Sequence, residues 1–299
     1  MSKLKFNNQS KGLILTTIGV LAIVPDSILI RLIQADILTI TFWRALIPGI
    51  IISLGVIFLY RKQAYSFVKS PGLSGMIFII FHSLGTLLFV VSIELTSIAN
   101  ALFIISTSPI FAAIISWIFL SEPITKRMIL TILGALIGIG VITLGSKTGE
   151  TYFNIGDLSA LCVAICLAIN LTAARSAANF SMIPAVAISS ILTALFIVFF
   201  IEPFNLLISD WIYIFILGIV FAPIATCLIA TGPRFITSAE VSLLILLEAV
   251  LAPILAWFIL YEHPGEKTIF GGVIVISVLI VSNFIALRQS QNNNQKTKI

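Results

Sequence analysis

The chain has 299 residues, of which 59% are hydrophobic and 10% charged, with a mean hydropathy of +1.17 and a formal net charge of +5. Soluble domains carry about 25% charged residues, so this composition excludes an ordinary water-soluble enzyme. The positive balance does not point to nucleic acid, because the 17 Lys and Arg stand singly between apolar runs, with no basic stripe and no stacking aromatics beside them.

A membrane-spanning helix needs about 20 apolar residues. Apolar runs and their breakers predict ten such helices, near 12–33, 38–60, 73–93, 97–120, 128–145, 157–175, 183–201, 211–231, 238–260 and 268–287. Ten spans of about 22 residues take roughly 220 of the chain and leave loops averaging about six residues, too short for a soluble domain. The separators Lys69-Ser70-Pro71-Gly72, Ser121-Glu122-Pro123, Gly145-Ser146-Lys147-Thr148-Gly149, Ile201-Glu202-Pro203 and His263-Pro264-Gly265 read as helix punctuation. The first run has the composition of a signal-peptide core, yet its length, its Pro25-Asp26 and the hydrophobic segments that follow make it a retained span.

Orientation follows from the basic residues. With the N-terminus inside, the inner face collects Lys3, Lys5, Lys11, Arg61, Lys62, Lys69, Lys126, Arg127, Arg175, Arg234, Arg288, Lys296 and Lys298. The outer face collects only Arg31, Lys147 and Lys267, and Arg44 falls within the membrane. Both tails are therefore expected in the cytoplasm, as an even number of spans requires.

Two segments of the chain are alike. Ser97-Ile-Ala-Asn through Trp117-Ile-Phe-Leu-Ser-Glu122 aligns without gaps on Thr237-Ser-Ala-Glu through Trp257-Phe-Ile-Leu-Tyr-Glu262, at an offset of 140 residues. Gly134-Ala-Leu-Ile and Gly271-Gly-Val-Ile match after a short loop adjustment, and Arg31 and Arg175 align more weakly at the ends of helices 1 and 6. Each half is then a five-helix unit. An odd number of spans makes the second half enter the bilayer from the opposite side, so the expected fold is all-α, with ten transmembrane helices as two inverted five-helix repeats around a central cavity. Inverted repeats that exchange inward-open and outward-open shapes around a midplane site are a transporter signature. The expected layout is a cytoplasmic tail 1–11, a first repeat 12–145, an outer linker 146–156, a second repeat 157–287 and a polar cytoplasmic tail 288–299.

Phe42-Trp-Arg-Ala45, Ile93-Glu-Leu-Thr-Ser-Ile-Ala-Asn-Ala101, Ser108-Pro-Ile-Phe-Ala-Ala113 with Ser121-Glu122, and Gly232-Pro-Arg-Phe-Ile-Thr-Ser-Ala-Glu240 leading to Leu247-Glu-Ala-Val-Leu-Ala-Pro253 and Glu262 form an ordered set at repeat spacing. The set resembles the drug/metabolite transporter superfamily, specifically its ten-helix EamA-type family, over nearly the whole chain from 12 to 287. The resemblance implies that helices 1–4 and 6–9 surround a cavity while helices 5 and 10 lie peripherally. It also implies movement of small metabolites, often amino acids or related compounds, across a bacterial inner membrane. The family's second half more often shows Glu-Pro, whereas here Pro253 stands five residues beyond Glu248.

Charge at the bilayer centre costs about 2.5–3.5 kcal/mol on insertion scales, so charged side chains inside spans must face protein or water. Glu248, midway along helix 9, is placed to take and release a proton, to contact substrate or to bond a facing helix. Asp26 and Arg44 lie similarly deep in helices 1 and 2 and can form a bidentate pair, either structural or part of an outward-facing site. Trp43 is an interfacial anchor or a cavity wall. His82, near the middle of helix 3, titrates near neutral pH in water or donates between helices. Asn170 belongs to helix 6, which the resemblance places on the cavity, and Asn283 to helix 10, which it does not. The candidate cavity set is thus Asp26, Trp43, Arg44, His82, Asn170 and Glu248, with Pro109 and Pro253 as hinges, since proline removes a backbone hydrogen bond. Glu94, Glu122, Glu240, Glu262 and Arg234 sit at helix ends, where capping, topology or gate contacts are expected. Gly134-x3-Gly138 permits close helix approach, within one chain or in a homodimer.

Other chemistries find no support. Cys162, Cys166 and Cys227 form no paired metal or disulfide pattern and read as small residues at helix contacts. Gly72-Leu-Ser74-Gly75 spells a rhomboid-type protease motif, yet His82 shares its helix and His263 is expected on the far side. Ser74 is better read as a helix cap after Pro71-Gly72. No phosphate-binding loop, HExxH or aspartate cluster is present, and the Asn-x-Ser/Thr triplets at Asn8, Asn170 and Asn179 fall at cytoplasmic or buried positions. The sequence therefore reads as a secondary transporter without catalytic residues, metal or cofactor, carrying a small-molecule substrate across the lipid bilayer, either facilitative or with protons as the coupling ion, and with export as the direction. A channel or a non-transporting scaffold is the alternative.

Overall fold

The computed structural model describes residues 8–61, 70–96, 98–143, 155–260 and 266–296. The separators at 145–149 and 263–265, together with Glu262, Lys62, Lys69 and Lys147, lie outside them, as do the side chains of Arg31, Glu94, Asn100 and Pro253. Among the described residues every regular element is helical, the outcome a bilayer imposes on a chain that must satisfy its backbone internally. In chain order these are α1 (Asn8–Leu32), α2 (Ile37–Tyr60), α3 (Gly72–Leu95), α4 in two pieces (Ile98–Ile105 and Ser108–Leu120), α5 (Lys126–Thr143) and α6 (Ile155–Ser176). There follow α7 (Ile183–Ile197), α8 (Asp210–Phe215, Ile216–Phe221 and Ala222–Thr231), α9 (Ser238–Leu260) and α10 (Glu266–Lys296).

Nine helices among the described residues are long and apolar enough to cross a membrane. The expected span at 128–145 forms a helix, α5, which is not one of the nine. It has 18 residues and opens on Lys126-Arg127, so its uncharged stretch is short. The final helix does not stop at 287 but continues to Lys296 through the polar segment expected as tail.

Local causes are visible at the ends and breaks. Asp36 caps α2, its Oδ2 accepting from the N–H groups of Leu38 at 3.0 Å and Thr39 at 3.4 Å. At the start of α9, Thr237 Oγ1 accepts from the Glu240 N–H at 3.3 Å and Glu240 Oε2 accepts from the Thr237 N–H at 3.2 Å, a reciprocal capping box. The expected cap at Ser74 is not formed. Pro71 occupies the position before α3 without a side-chain cap, and Ser74, already inside the helix, accepts a hydrogen bond from Ser176 at 2.8 Å. The break in α4 falls at Ser106-Thr107, where both hydroxyls turn back onto carbonyls at 2.6 Å. Pro109 then sits in the first turn of the second piece, where no N–H is needed. In α8 a π-helical stretch, Ile216–Phe221, immediately precedes the piece that carries Pro223, the register adjustment that a missing donor invites.

The helices pack as correspondingly numbered pairs. α2 lies on α7, α4 on α9 and α5 on α10, while α3 against α6 is answered by α8 against α1, and α4 against α6 by α9 against α1. α6 is the most buried of the nine and presents Ala160, Ala164, Ala168, Ala173 and Ala174 to its neighbours, small residues that let backbones approach. Cys166 sits in the same seam, its Cβ 3.2 Å from where a side chain on Gly85 of α3 would begin. One apolar core joins α4, α5, α9 and α10 around Ile132, Ile139, Leu243, Val250 and Val275; another joins α2, α3, α6 and α7 around Ile52, Phe78 and Val186. Gly134 and Gly138 meet Val278, Val275 and Gly271 of α10, so that face of α5 is filled within the chain. Large apolar side chains such as Phe58, Leu130 and Phe270 point outward, as lipid-facing positions should.

Candidate functional site

α1 is held between α8 and α9, and this places the residue after Pro25 in the interior: Asp26 is 3% exposed. From α2, Arg44 reaches it with Nε at 3.1 Å from Oδ1 and 2.8 Å from Oδ2, and with Nη2 on Oδ2 as well. The two side chains expected to meet do so, in the side-on geometry that makes Arg–carboxylate bonds strong. Such pairing lowers the penalty of holding two charges inside a bilayer.

The field around this pair takes in both halves of the chain. Arg44 interacts electrostatically with Glu248 as well as with Asp26, Glu248 with both of them, and His82 with Arg44. His82 on α3 stacks on Phe78 with ring centroids 5.3 Å apart, and the Asn170 amide lies 3.4 Å from its Nδ1. Asp26, Arg44 and His82 thus come from the first half, and Asn170 and Glu248 from the second. Counting Asp26, Arg44 and Glu248 as ionised, the group carries one negative charge more than positive. Among the described residues Glu248 has no ion pair of its own.

Trp43 is placed apart from this group. Adjacent residues on a helix diverge by about 100°, and while Arg44 meets α1, the Trp43 indole donates to the Pro203 carbonyl at 2.7 Å and packs edge-on against Trp211 and Phe204. It braces the α7–α8 connection. Pro109 follows directly on the α4 break, and Pro253 lies within continuous α9.

A second polar assembly was not legible in sequence. Glu240, beyond its capping role, accepts from Arg127 of α5 at 2.5 Å and from Gln9 of α1 at 3.2 Å. Glu122 accepts from Arg175 at 2.6 Å. The charges at these helix ends were visible, but 113 and 53 residues separate the partners, and no periodic pattern links them. Two cavities stand out: one of about 10 Å³ lined by Arg127, Met128, Glu240, Leu243, Leu279, Ser282 and Asn283, and a shallow one along Val141 and Glu266–Val273. Neither is lined by the Asp26–Arg44 group.

The family model described as the EamA-like transporter family matches the chain twice, over residues 10–144 and 154–284. Among solved structures 29 chains match. One crystal structure superimposes with a TM-score of 0.79 at 17% identity, over 94% of this chain and 99% of its own, a likeness of fold. No curated protein matches.

Proposed function

Because the chain belongs to the EamA-like transporter family, a family of membrane proteins that typically carry small solutes, we propose that it is a secondary transporter. It exports a small metabolite, amino-acid-like or related, across the bacterial inner membrane by alternating access. The observation that carries this reading is the polar group in the bundle interior, to which both matched halves contribute: a group buried in this way needs a reason, and sites at the interface of two repeats are where carriers bind. The exchange of packing partners between helices five places apart supports a two-fold relation of the halves, 12–145 and 157–287; in this reading the five spans of each half invert one relative to the other and leave both tails cytoplasmic.

In this reading Asp26 and Arg44 hold the substrate's polar end, His82 and Asn170 line the other wall, and Glu248 carries the coupling proton. Trp43 supports the outer rim, with Pro109 and Pro253 as flexing points. Reconstituted into vesicles, the protein should give saturable uptake with counterflow for at least one member of an amino-acid and nucleotide-like panel. Flux that rises linearly without counterflow would establish the channel alternative, and no flux for any member would leave a scaffold. The variant Glu248→Gln, matched for membrane abundance, should retain transport that no longer varies with pH; an unchanged pH profile would remove the coupling role.

A further inference from the structure

At the end of the molecule where α1 begins and α10 makes its last turns, polar bonds gather around the α8–α9 turn, residues 232–237, and the start of α9. On one flank Arg175, at the end of α6, donates from Nε to Glu122 at 2.6 Å and from Nη1 to the Pro233 carbonyl at 3.0 Å, and Arg234 Nε donates to the Ala178 carbonyl at 2.9 Å. On the other flank Glu240 takes Arg127 and Gln9 on one carboxylate oxygen and Thr237 on the other, while Arg127 Nη1 donates to the Ser282 carbonyl at 3.1 Å. The turn and the first residues of α9 are therefore linked to the starts of α1 and α5, to the end of α6 and, through Arg175 and Arg127, to the α4–α5 connection and α10.

The closure is also imperfect in a particular way. Three buried side-chain atoms among the described residues have no hydrogen-bond partner: Thr16 Oγ1, Glu122 Oε2 and Arg127 Nε. Thr16 borders this turn directly, and the other two reach it through their ion-pair partners. Glu122 and Arg127 belong to its two ion-pair networks, and the Thr16 hydroxyl abuts Gly232, so closely that a side chain there would collide with it. The cavity of about 10 Å³ lies against Arg127 and Glu240, large enough for about one water. A buried polar atom left unpaired costs free energy that hydration returns, so admitting water offsets part of the cost of separating the pairs.

Resting on the transport reading, we propose that the α8–α9 turn is the gate on the tail-bearing side, latched shut by Arg175–Glu122 and Arg127–Glu240 and released when both pairs separate. Ser238, fully buried behind the turn and accepting a hydrogen bond from Thr172 at 3.3 Å, reports the state of the gate. The test uses the full chain with Cys162, Cys166 and Cys227 replaced by alanine and Ser238→Cys as the single thiol, in vesicles exposing the tail-bearing side to a membrane-impermeant maleimide. Glu122→Gln with Glu240→Gln should speed labelling by about tenfold or more, the change expected when a minor open state becomes a major one. The swap Glu122→Arg with Arg175→Glu, in the Glu240→Gln background, should return it towards the parent rate. Unchanged labelling in the double Gln variant overturns the proposal. So does an equal acceleration at Ala194→Cys in the distant α2–α7 seam, where the residue is fully buried, because general loosening explains that. Counterflow in the same vesicles separates the two readings: intact counterflow with unmoved labelling removes the gate alone, and accelerated labelling with no counterflow removes the transport reading alone.

Discussion

Asp26→Ala is expected to cost most of the protein's membrane abundance and to lower its thermal stability in detergent more than any other single change in the interior. The substitution leaves the Arg44 guanidinium in the bundle without its partner, and breaking one side of a buried pair costs about 3–5 kcal/mol because the remaining charge stays uncompensated. The Arg44 side chain keeps 26% of its surface accessible, so the effect belongs near the lower end, about 3 kcal/mol. That is still a large part of the roughly 5–15 kcal/mol that holds a typical domain folded. The double variant Asp26→Asn with Arg44→Gln removes both charges and should recover abundance while transport stays lost. If the double variant is as unstable as the single one, the pair's contribution is shape and hydrogen bonding rather than charge compensation. If it transports normally, the pair lies outside the substrate path.

Gly138→Leu should be the most damaging change away from that site. A Cβ at this position would stand 2.6 Å from Val275 Cγ2 and 2.9 Å from the Gly271 carbonyl oxygen. The first neighbour is a side chain that can turn, but the second is backbone and cannot yield without moving α10. Overpacking of this kind costs about 1–3 kcal/mol even for extra methylenes in an adaptable core, and a leucine against a fixed carbonyl falls at or above the top of that range. Val275→Ala should restore only part of the loss. Gly55→Ala is the contrast: nothing lies within 4 Å of its Cβ position, so detergent melting should be unchanged or slightly raised, alanine being the better helix former. Equal melting temperatures for Gly138→Leu and the parent would mean that α5 and α10 do not pack as described.

The residues that could be placed from sequence were those with a physical debt to settle. Asp26 and Arg44 lie inside apolar runs at similar depth with opposite charge, and the bilayer leaves such groups few partners, so their meeting was foreseeable. The same logic drew His82, Asn170 and Glu248 to one interior region, because each is a polar group on a helix of the expected central set. Trp43 followed a different rule. An indole satisfies one donor and otherwise packs, and the neighbours it found, Pro203, Phe204 and Trp211, belong to a connection whose path no periodicity predicts. The Arg127–Glu240 and Arg175–Glu122 networks escaped for a related reason: charges at helix ends are satisfied by water or by one another at similar cost, and only tertiary packing decides which. The break in α4 was signalled by Pro109, yet the chain opens at Ser106-Thr107, where hydroxyls compete for helix carbonyls. The register of α5 against α10 depended on Gly134, Gly138 and Gly271 facing one another, which the spacing allowed and the structure realises within the chain.

The placement of the 145–156 connection relative to the two tails tests the central claim, that two five-helix halves stand in opposite orientation about a shared site. With reporters on both tails and a single cysteine at Ser146 in a cysteine-free chain, impermeant maleimide should label Ser146→Cys only from the face opposite the one on which both tails are found. Labelling from the tail-bearing face would give each half an even number of crossings, and the inverted arrangement would be contradicted.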